Sequence, residues 1–201
     1  MVGTEIFPTS LQKRKAACDS SHVEATGVLL LGGLSRRFGS VKALAALGDE
    51  TLAERAWRVL GEAFPDRIAV GKEADQLGLS FPVLDDGIAV RAPLAGVIAG
   101  LRAASSDIAV FLPVDCPLVT PEALRALAEA CADAAVPETG PLPGAYAQRA
   151  LTVLEERLES GRLALDEALV ELDVRTVELE GELLASVNTE RDLERVRALT
   201  H

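Results

Sequence analysis

From Gly27 to the end of the chain, short apolar runs rich in valine, isoleucine and leucine alternate with longer stretches rich in alanine and leucine. Strands that are apolar on both faces need helices above and below them, and a parallel sheet with crossover helices meets that demand. Val28-Leu29-Leu30-Leu31 does not alternate and reads as a first strand enclosed on both sides. Asp49 predicts the cap of a helix carrying Leu52, Ala56, Val59 and Ala63 on one face, followed by a strand at Ile68-Ala69-Val70 and a third from Phe81 to Leu84. A helix is expected over Leu94 to Ala104, then the strand Ile108 to Leu112, then a helix opened by Thr120 and Pro121. Helical periodicity resumes near Tyr146, runs through Leu151, Leu154 and Leu158 to Gly161, and returns from Leu163 to Val170. Val174 to Leu179 alternates as a last strand, and Thr189 with Asp192 three residues on forms a capping box for a final helix. No repeat, low-complexity tract or dividing linker interrupts this series. The expectation is a disordered tail over 1–26 and one doubly wound α/β domain over 27–201, a single mostly parallel sheet with flanking helices.

Composition removes several chemistries. With 20 basic and 31 acidic side chains the net charge is -11, which repels nucleic acid and anionic lipid, so a phosphate-bearing partner must be met at a local basic spot. Aromatic residues make up 3%, too few for base-stacking platforms. The 2 histidines, His22 and His201, lie in a polar N-terminal segment and at the last position, which argues against catalytic triads and histidine metal sites. The 3 cysteines, Cys18, Cys116 and Cys131, are odd in number and widely spaced, which fits neither a disulfide framework nor a metal knuckle and suggests a reducing cytoplasm. No run approaches the roughly 18 apolar residues of a membrane span. Lys13-Arg14-Lys15 is not followed by the apolar stretch of a secretory signal. Lysine, arginine, carboxylates and backbone are left to do the chemistry.

They gather in one segment. Directly after the first strand stands Gly32-Gly33-Leu34-Ser35-Arg36-Arg37-Phe38-Gly39-Ser40-Val41-Lys42, with three cations and no acid. Paired glycines let a backbone approach a ligand closely, their amides can face phosphate oxygens, and Ser35 adds a hydroxyl. The segment is neither a P-loop nor GxGxxG, since Gly39 precedes Ser40 and Lys42 precedes Ala43. A flexible surface loop is the bland reading; its place after a buried strand, where doubly wound sheets bind ligands, favours a phosphate site.

Spelled as GGxSxRxGxxK, with Gly32, Gly33, Ser35, Arg37, Gly39 and Lys42 at the fixed positions, this segment resembles the signature of the MobA-like nucleotidyltransferases. The resemblance continues at Pro82 to Asp86, Pro93 to Gly96, Leu112 to Pro117, Pro141 to Tyr146 and Asn188 to Leu193. It implies a Rossmann-like nucleotidyltransferase fold and is nearest to members that join GMP from GTP to the phosphate of molybdopterin, releasing pyrophosphate. By that resemblance Leu30, Leu31, Gly32, Gly33 and Ser35 hold the nucleotide, Lys42 and Arg37 neutralise its phosphates, and Gly71 and Asp86 lie against the nucleoside. Asp115 would hold Mg²⁺, and Ser186, Asn188 and Tyr146 would face the acceptor. GTP, molybdopterin and a cofactor-carrier or acceptor enzyme are the implied partners. In-line transfer at an α-phosphorus needs positioning and charge neutralisation and no covalent nucleophile, which suits a chain without usable histidine.

The chain also departs from that pattern. Ala92 replaces a glycine, Ser186 and Glu190 replace the asparagine and proline of Asn-x-Asn-Thr-Pro, Gly71 stands about where an asparagine would meet the nucleotide, and Leu31 and Val41 replace an alanine and an aspartate. From the residues alone, Asp115 could instead shape a turn between prolines, Asp85 competes with Asp86, and Arg36 could face solvent. Two other functions fit: a cytidylyltransferase acting on molybdopterin or a sugar or polyol phosphate, against which Gly32-Gly33 leaves room for a purine, and a non-catalytic nucleotide-binding relative.

Overall fold

All five residues of Thr26–Leu30 are buried, including the threonine, as a central strand requires. The computed structural model describes residues 23–32, 42–72 and 78–200. In chain order these form β1 (Thr26–Leu30), a 3-10 turn at Lys42–Leu44, a small antiparallel pair β2 (Ala46–Leu47) and β3 (Glu50–Thr51), α1 (Leu52–Ala63), β4 (Asp66–Gly71), β5 (Leu84–Asp85) and α2 (Pro93–Ala103). There follow β6 (Ile108–Pro113), α3 (Pro121–Ala130), β7 (Ala134–Pro137), β8 (Gly144–Ala147), α4 (Leu151–Glu159), α5 (Leu165–Ala168), β9 (Val174–Val177) and α6 (Glu190–Leu199). Seven strands make one sheet in the order β5-β4-β1-β6-β8-β7-β9. Every pairing is parallel except the two made by β8.

The sheet is covered on both sides. Buried residues of α1, α3 and α6 pack on one face around Leu29, Val110 and Leu112, and those of α2, α4 and α5 on the other around Val28, Phe111 and Tyr146. The expected doubly wound, mostly parallel sheet is the one found. Local signals decide the helix starts. The cap of α1 is Thr51, not Asp49: the Thr51 hydroxyl accepts from Glu54 N at 3.2 Å and Glu54 Oε2 accepts from Thr51 N at 2.8 Å, a reciprocal box that Asp49, in the β2–β3 turn, cannot make. Thr120 caps α3 with Pro121 at its first position, and Thr189 with Asp192 caps α6, as the sequence predicts.

Four boundaries differ. The expected tail overlaps the fold, because Ala25 and Thr26 are already buried; residues 1–22 lie outside the described residues. Extended pairing around Phe81 to Leu84 is confined to Leu84–Asp85, and the last strand ends at Val177. The largest difference is at Tyr146, which lies in β8 opposite Ala109, while α4 starts only at Leu151. Its ring is fully buried edge-on to Phe111 at 5.7 Å, and its hydroxyl donates to Pro141 O at 2.9 Å. A four-residue strand of glycine, alanine and tyrosine has too little pattern to be read locally; pairing with β6 creates it.

One close approach fixes α2 on the sheet. A Cβ at Gly100 would lie 2.5 Å from Phe111 Cε1 and 2.8 Å from Val28 Cγ1, both core side chains with nowhere to go. Gly100→Ala gains about 1 kcal/mol of helix propensity, yet overpacking costs about 1–3 kcal/mol, so a net loss of up to about 2 kcal/mol is expected. Thermal unfolding reads it directly; a variant as stable as wild type would mean that α2 shifts without penalty.

Candidate active site

The sheet places three strand ends together. β1 has β4 on one side and β6 on the other, so the connections leave it in opposite directions and open a crevice at the carboxyl ends. Leu30 stands beside Val70 and Pro113 in register. The ladder continues one step further, with Leu31 N donating to Val70 O at 2.9 Å and Val114 N to Leu30 O at 3.0 Å. Of the first-turn backbone expected to meet a nucleotide, the Leu31 N–H and one lone pair of the Leu30 carbonyl are thus engaged in the sheet. Gly32 is exposed, and a Cβ there would meet nothing within 4 Å. Gly33, Ser35, Arg37 and Gly39 lie outside the described residues.

Lys42 enters this crevice from the 3-10 turn. Its side chain is only 10% exposed, and its Nζ donates to Asp115 Oδ2 at 3.1 Å and to Asn188 Oδ1 at 3.0 Å. Residues 73 and 146 positions apart thus meet on one ammonium. Asp115 follows β6, and its backbone carbonyl accepts from Val187 N at 2.8 Å, which ties the segment before α6 to the strand end. The α6 cap completes the support, since Asp192 Oδ2 accepts from Asn188 N at 3.0 Å and Thr189 N at 2.8 Å. Arg55 Nε donates to Pro117 O at 2.8 Å and pins the loop beyond Asp115. Asp115 is therefore more than a turn former: its carboxylate is 28% exposed, ion-paired and aimed at the crevice lysine.

Asn188, expected at the acceptor, sits beside Lys42 and Asp115, and Ser186 Oγ accepts from Asn188 Nδ2 at 3.4 Å on the exposed side. Tyr146 is corrected: fully buried and bonded to Pro141, it offers an acceptor no surface. The two aspartates stand in different surroundings. Asp85 is exposed and its Oδ1 accepts from Gly87 N at 2.7 Å, a turn contact, whereas the Asp86 carboxylate is 9% exposed and pairs with Lys72 at 2.5 Å. Gly71 is buried, its carbonyl accepts from Asp86 N at 3.0 Å, and a Cβ there would press on Val83 and Leu31 at 3.2 and 3.3 Å. Lys72 was missed by sequence reasoning because a lysine at a strand end carries no pattern of its own.

Residues 27–174 match the MobA-like NTP transferase domain. The chain belongs to the MobA-like NTP transferase family. A relative from Pelotomaculum thermopropionicum, named a probable molybdenum cofactor guanylyltransferase, is 37% identical over 145 residues, 69% of this chain and 71% of its own length. The molybdenum cofactor guanylyltransferase of Desulfosudis oleivorans is 30% identical across 86% of this chain and 94% of its own. The crystal structure of molybdopterin-guanine dinucleotide biosynthesis protein A from Archaeoglobus fulgidus superposes with a TM-score of 0.75 over 87% of this chain and 98% of the other, at 24% identity. The protein is a nucleotidyltransferase, and its sheet is the Rossmann-like one of that group. Among the described residues no helix is long and apolar enough to cross a membrane.

Within this MobA-like site, Cys116 is a buried neighbour. Burial, and then the adjacent Asp115 carboxylate, push its thiol far above the usual cysteine range; burial also pushes Cys131 up to about 11. Thiolate, the reactive form, is scarce at both. Cys116 is expected to stay unalkylated by iodoacetamide at pH 8 in the folded protein and to react in urea, as peptide mapping would show. Rapid native labelling would mean that the segment opens or that the nearby Lys42 ammonium, which opposes the shift, outweighs burial.

Proposed function

We propose that the protein transfers GMP from GTP to the phosphate of molybdopterin and releases pyrophosphate. The observation that carries the proposal is the Lys42–Asp115 pair, joined by Asn188, at the carboxyl ends of β1 and β6. An acceptor phosphate oxygen attacks the α-phosphorus of GTP, the bond from that phosphorus to the bridging oxygen breaks, and its electron pair leaves with pyrophosphate. The attacking phosphate is already anionic at neutral pH, so no histidine is needed to remove a proton. Lys42 lies where it can neutralise the negative charge on the triphosphate, and Arg37, from the same basic segment, is assigned the same duty.

Asp115 is the residue proposed to hold Mg²⁺. A half-exposed carboxylate at a strand end is a hard oxygen donor, and among the described residues no cluster of three metal-binding side chains surrounds it. That suits a cation which takes one or two carboxylates and completes its shell with substrate phosphates and water. When bound it would supply charge for the phosphate oxygens and the leaving pyrophosphate. Leu30, Leu31, Gly32, Gly33 and Ser35 are assigned to the nucleotide, with Gly71 and Asp86 beside it, and Ser186 to the acceptor side. The relatives named molybdenum cofactor guanylyltransferase support GTP and molybdopterin as the substrate pair.

The test is pyrophosphate release from GTP and, separately, CTP, with Mg²⁺, with and without molybdopterin. Release with GTP that requires molybdopterin supports the proposal. Equal release from CTP would remove the guanine preference. No release from either by a protein that binds GTP would leave nucleotide binding and overturn the transfer reaction.

A further inference from the structure

Lys72 and Asp86 form another ion pair at the carboxyl edge of the sheet, sheltered like that of Lys42 and Asp115. The side chains are 15% and 9% exposed. Lys72 follows β4 directly, and its ammonium, with three N–H donors, faces three acceptors: Asp86 Oδ1, the carbonyl of Ile88, and the carbonyl of Val90 at 3.4 Å. Asp86 Oδ1 also accepts from Ile88 N at 2.9 Å, and Asp86 N donates to Gly71 O at 3.0 Å. Two consecutive residues at the end of β4 thus hold Asp86, one by its backbone and one by its side chain. The segment so fastened runs on to Pro93, where α2 begins.

The location gives this clamp a consequence for ligand binding. Gly71, next to Lys72, packs so tightly on Leu31 that a Cβ would come within 3.3 Å of Leu31 Cβ, so the clamp adjoins Leu31 and the exposed Gly32 that follow β1. An ammonium surrounded by carbonyl and carboxylate oxygens is poorly placed to reach a phosphate as well. We infer that Lys72 is a positioning residue: it fixes Asp86 and the 86–90 segment in the form that accepts a purine nucleotide, and acts on the nucleotide only through Asp86. This rests on the nucleotide reading of the site given above. Gly71 has neither side chain nor a fully free carbonyl to offer there, so the polar chemistry at the end of β4 passes to its neighbour.

The test is a double-mutant cycle of Lys72→Met and Asp86→Asn in the full chain, with two readouts: GTP affinity by equilibrium dialysis, and amide exchange in 86–90 without added nucleotide. Lys72→Met is expected to weaken GTP binding and to speed exchange in 86–90, each by roughly tenfold or more, while α1 exchanges as in wild type. In the Asp86→Asn background the same substitution is expected to weaken binding by less than about threefold further. Faster exchange with unchanged affinity makes the clamp a strut and overturns the inference. A Lys72→Met loss that persists in full beside Asp86→Asn means direct contact with the nucleotide and overturns it too. Wild-type protein that binds no nucleotide overturns the reading of the whole site, whereas wild-type binding with an unaffected Lys72→Met overturns this inference alone. A methionine variant that does not fold is replaced in the cycle by Lys72→Gln, which keeps hydrogen-bond donors and loses the charge.

Discussion

Asp115→Asn is expected to slow pyrophosphate release at saturating GTP and acceptor on the order of a thousandfold, by the usual scale of a lost charge-stabilising group at a reacting phosphate. The side chain is half-exposed, and asparagine keeps its shape together with an oxygen able to accept from Lys42 at the present 3.1 Å. The bond from Val187 N uses the backbone carbonyl of residue 115 and is indifferent to the substitution. Stability should therefore fall by only about 1 kcal/mol, far less than activity. What disappears is the negative charge, so the Mg²⁺ concentration needed for half-maximal rate should rise. Rate against Mg²⁺, measured beside thermal unfolding, separates the two effects. A variant with near wild-type turnover would remove Asp115 from the reaction, and one that unfolds in proportion to its lost activity would make the residue structural.

That Asp115 could be singled out at all has a physical reason. It closes an apolar run whose burial is evident from composition, but the residues alone also allow a turn former between prolines, and its metal role comes with the resemblance. Lys42 was equally legible, because three cations without an acid stand out in a chain of net charge -11. The partnership with Asn188 was not. It depends on α6 returning to the strand ends, and a contact across 146 residues leaves no local trace. Tyr146 failed for the opposite reason: its surroundings look helical in isolation, and only pairing with β6 turns them into a strand buried on both faces. Adjacent Asp85 and Asp86 look alike in the sequence, and their different surroundings arise only when the end of β4 brings Lys72 to Asp86. Chain-local chemistry, namely caps, apolar runs and charge clusters, was readable; which side chains share an ammonium was set by topology.

Lys42→Met is expected to reduce turnover about a hundredfold and to weaken GTP, and to do so with an opposite metal signature. Lysine and a divalent cation drawn to one carboxylate repel each other by roughly 2–8 kcal/mol at a separation of ~4 Å, depending on how wet the site is. Removing the ammonium from its place 3.1 Å from Asp115 Oδ2 lowers that repulsion, so the Mg²⁺ requirement should fall even as the rate falls. Arginine should not rescue the loss. The side chain lies in a slot that leaves it 10% exposed, with acceptors at 3.1 and 3.0 Å suited to a compact ammonium, and a planar guanidinium neither fits that slot nor presents the same point charge. Some instability is expected as well, because Asn188 loses its donor and the segment before α6 loses one of its ties. The direction of the Mg²⁺ shift decides the matter, since loosened structure would raise the requirement, as Asp115→Asn does, and only loss of a competing charge lowers it. A rise in both variants would mean that Lys42 serves to hold Asp115 in place and that the triphosphate is neutralised by other cations, such as Arg36 and Arg37 of the basic segment after β1.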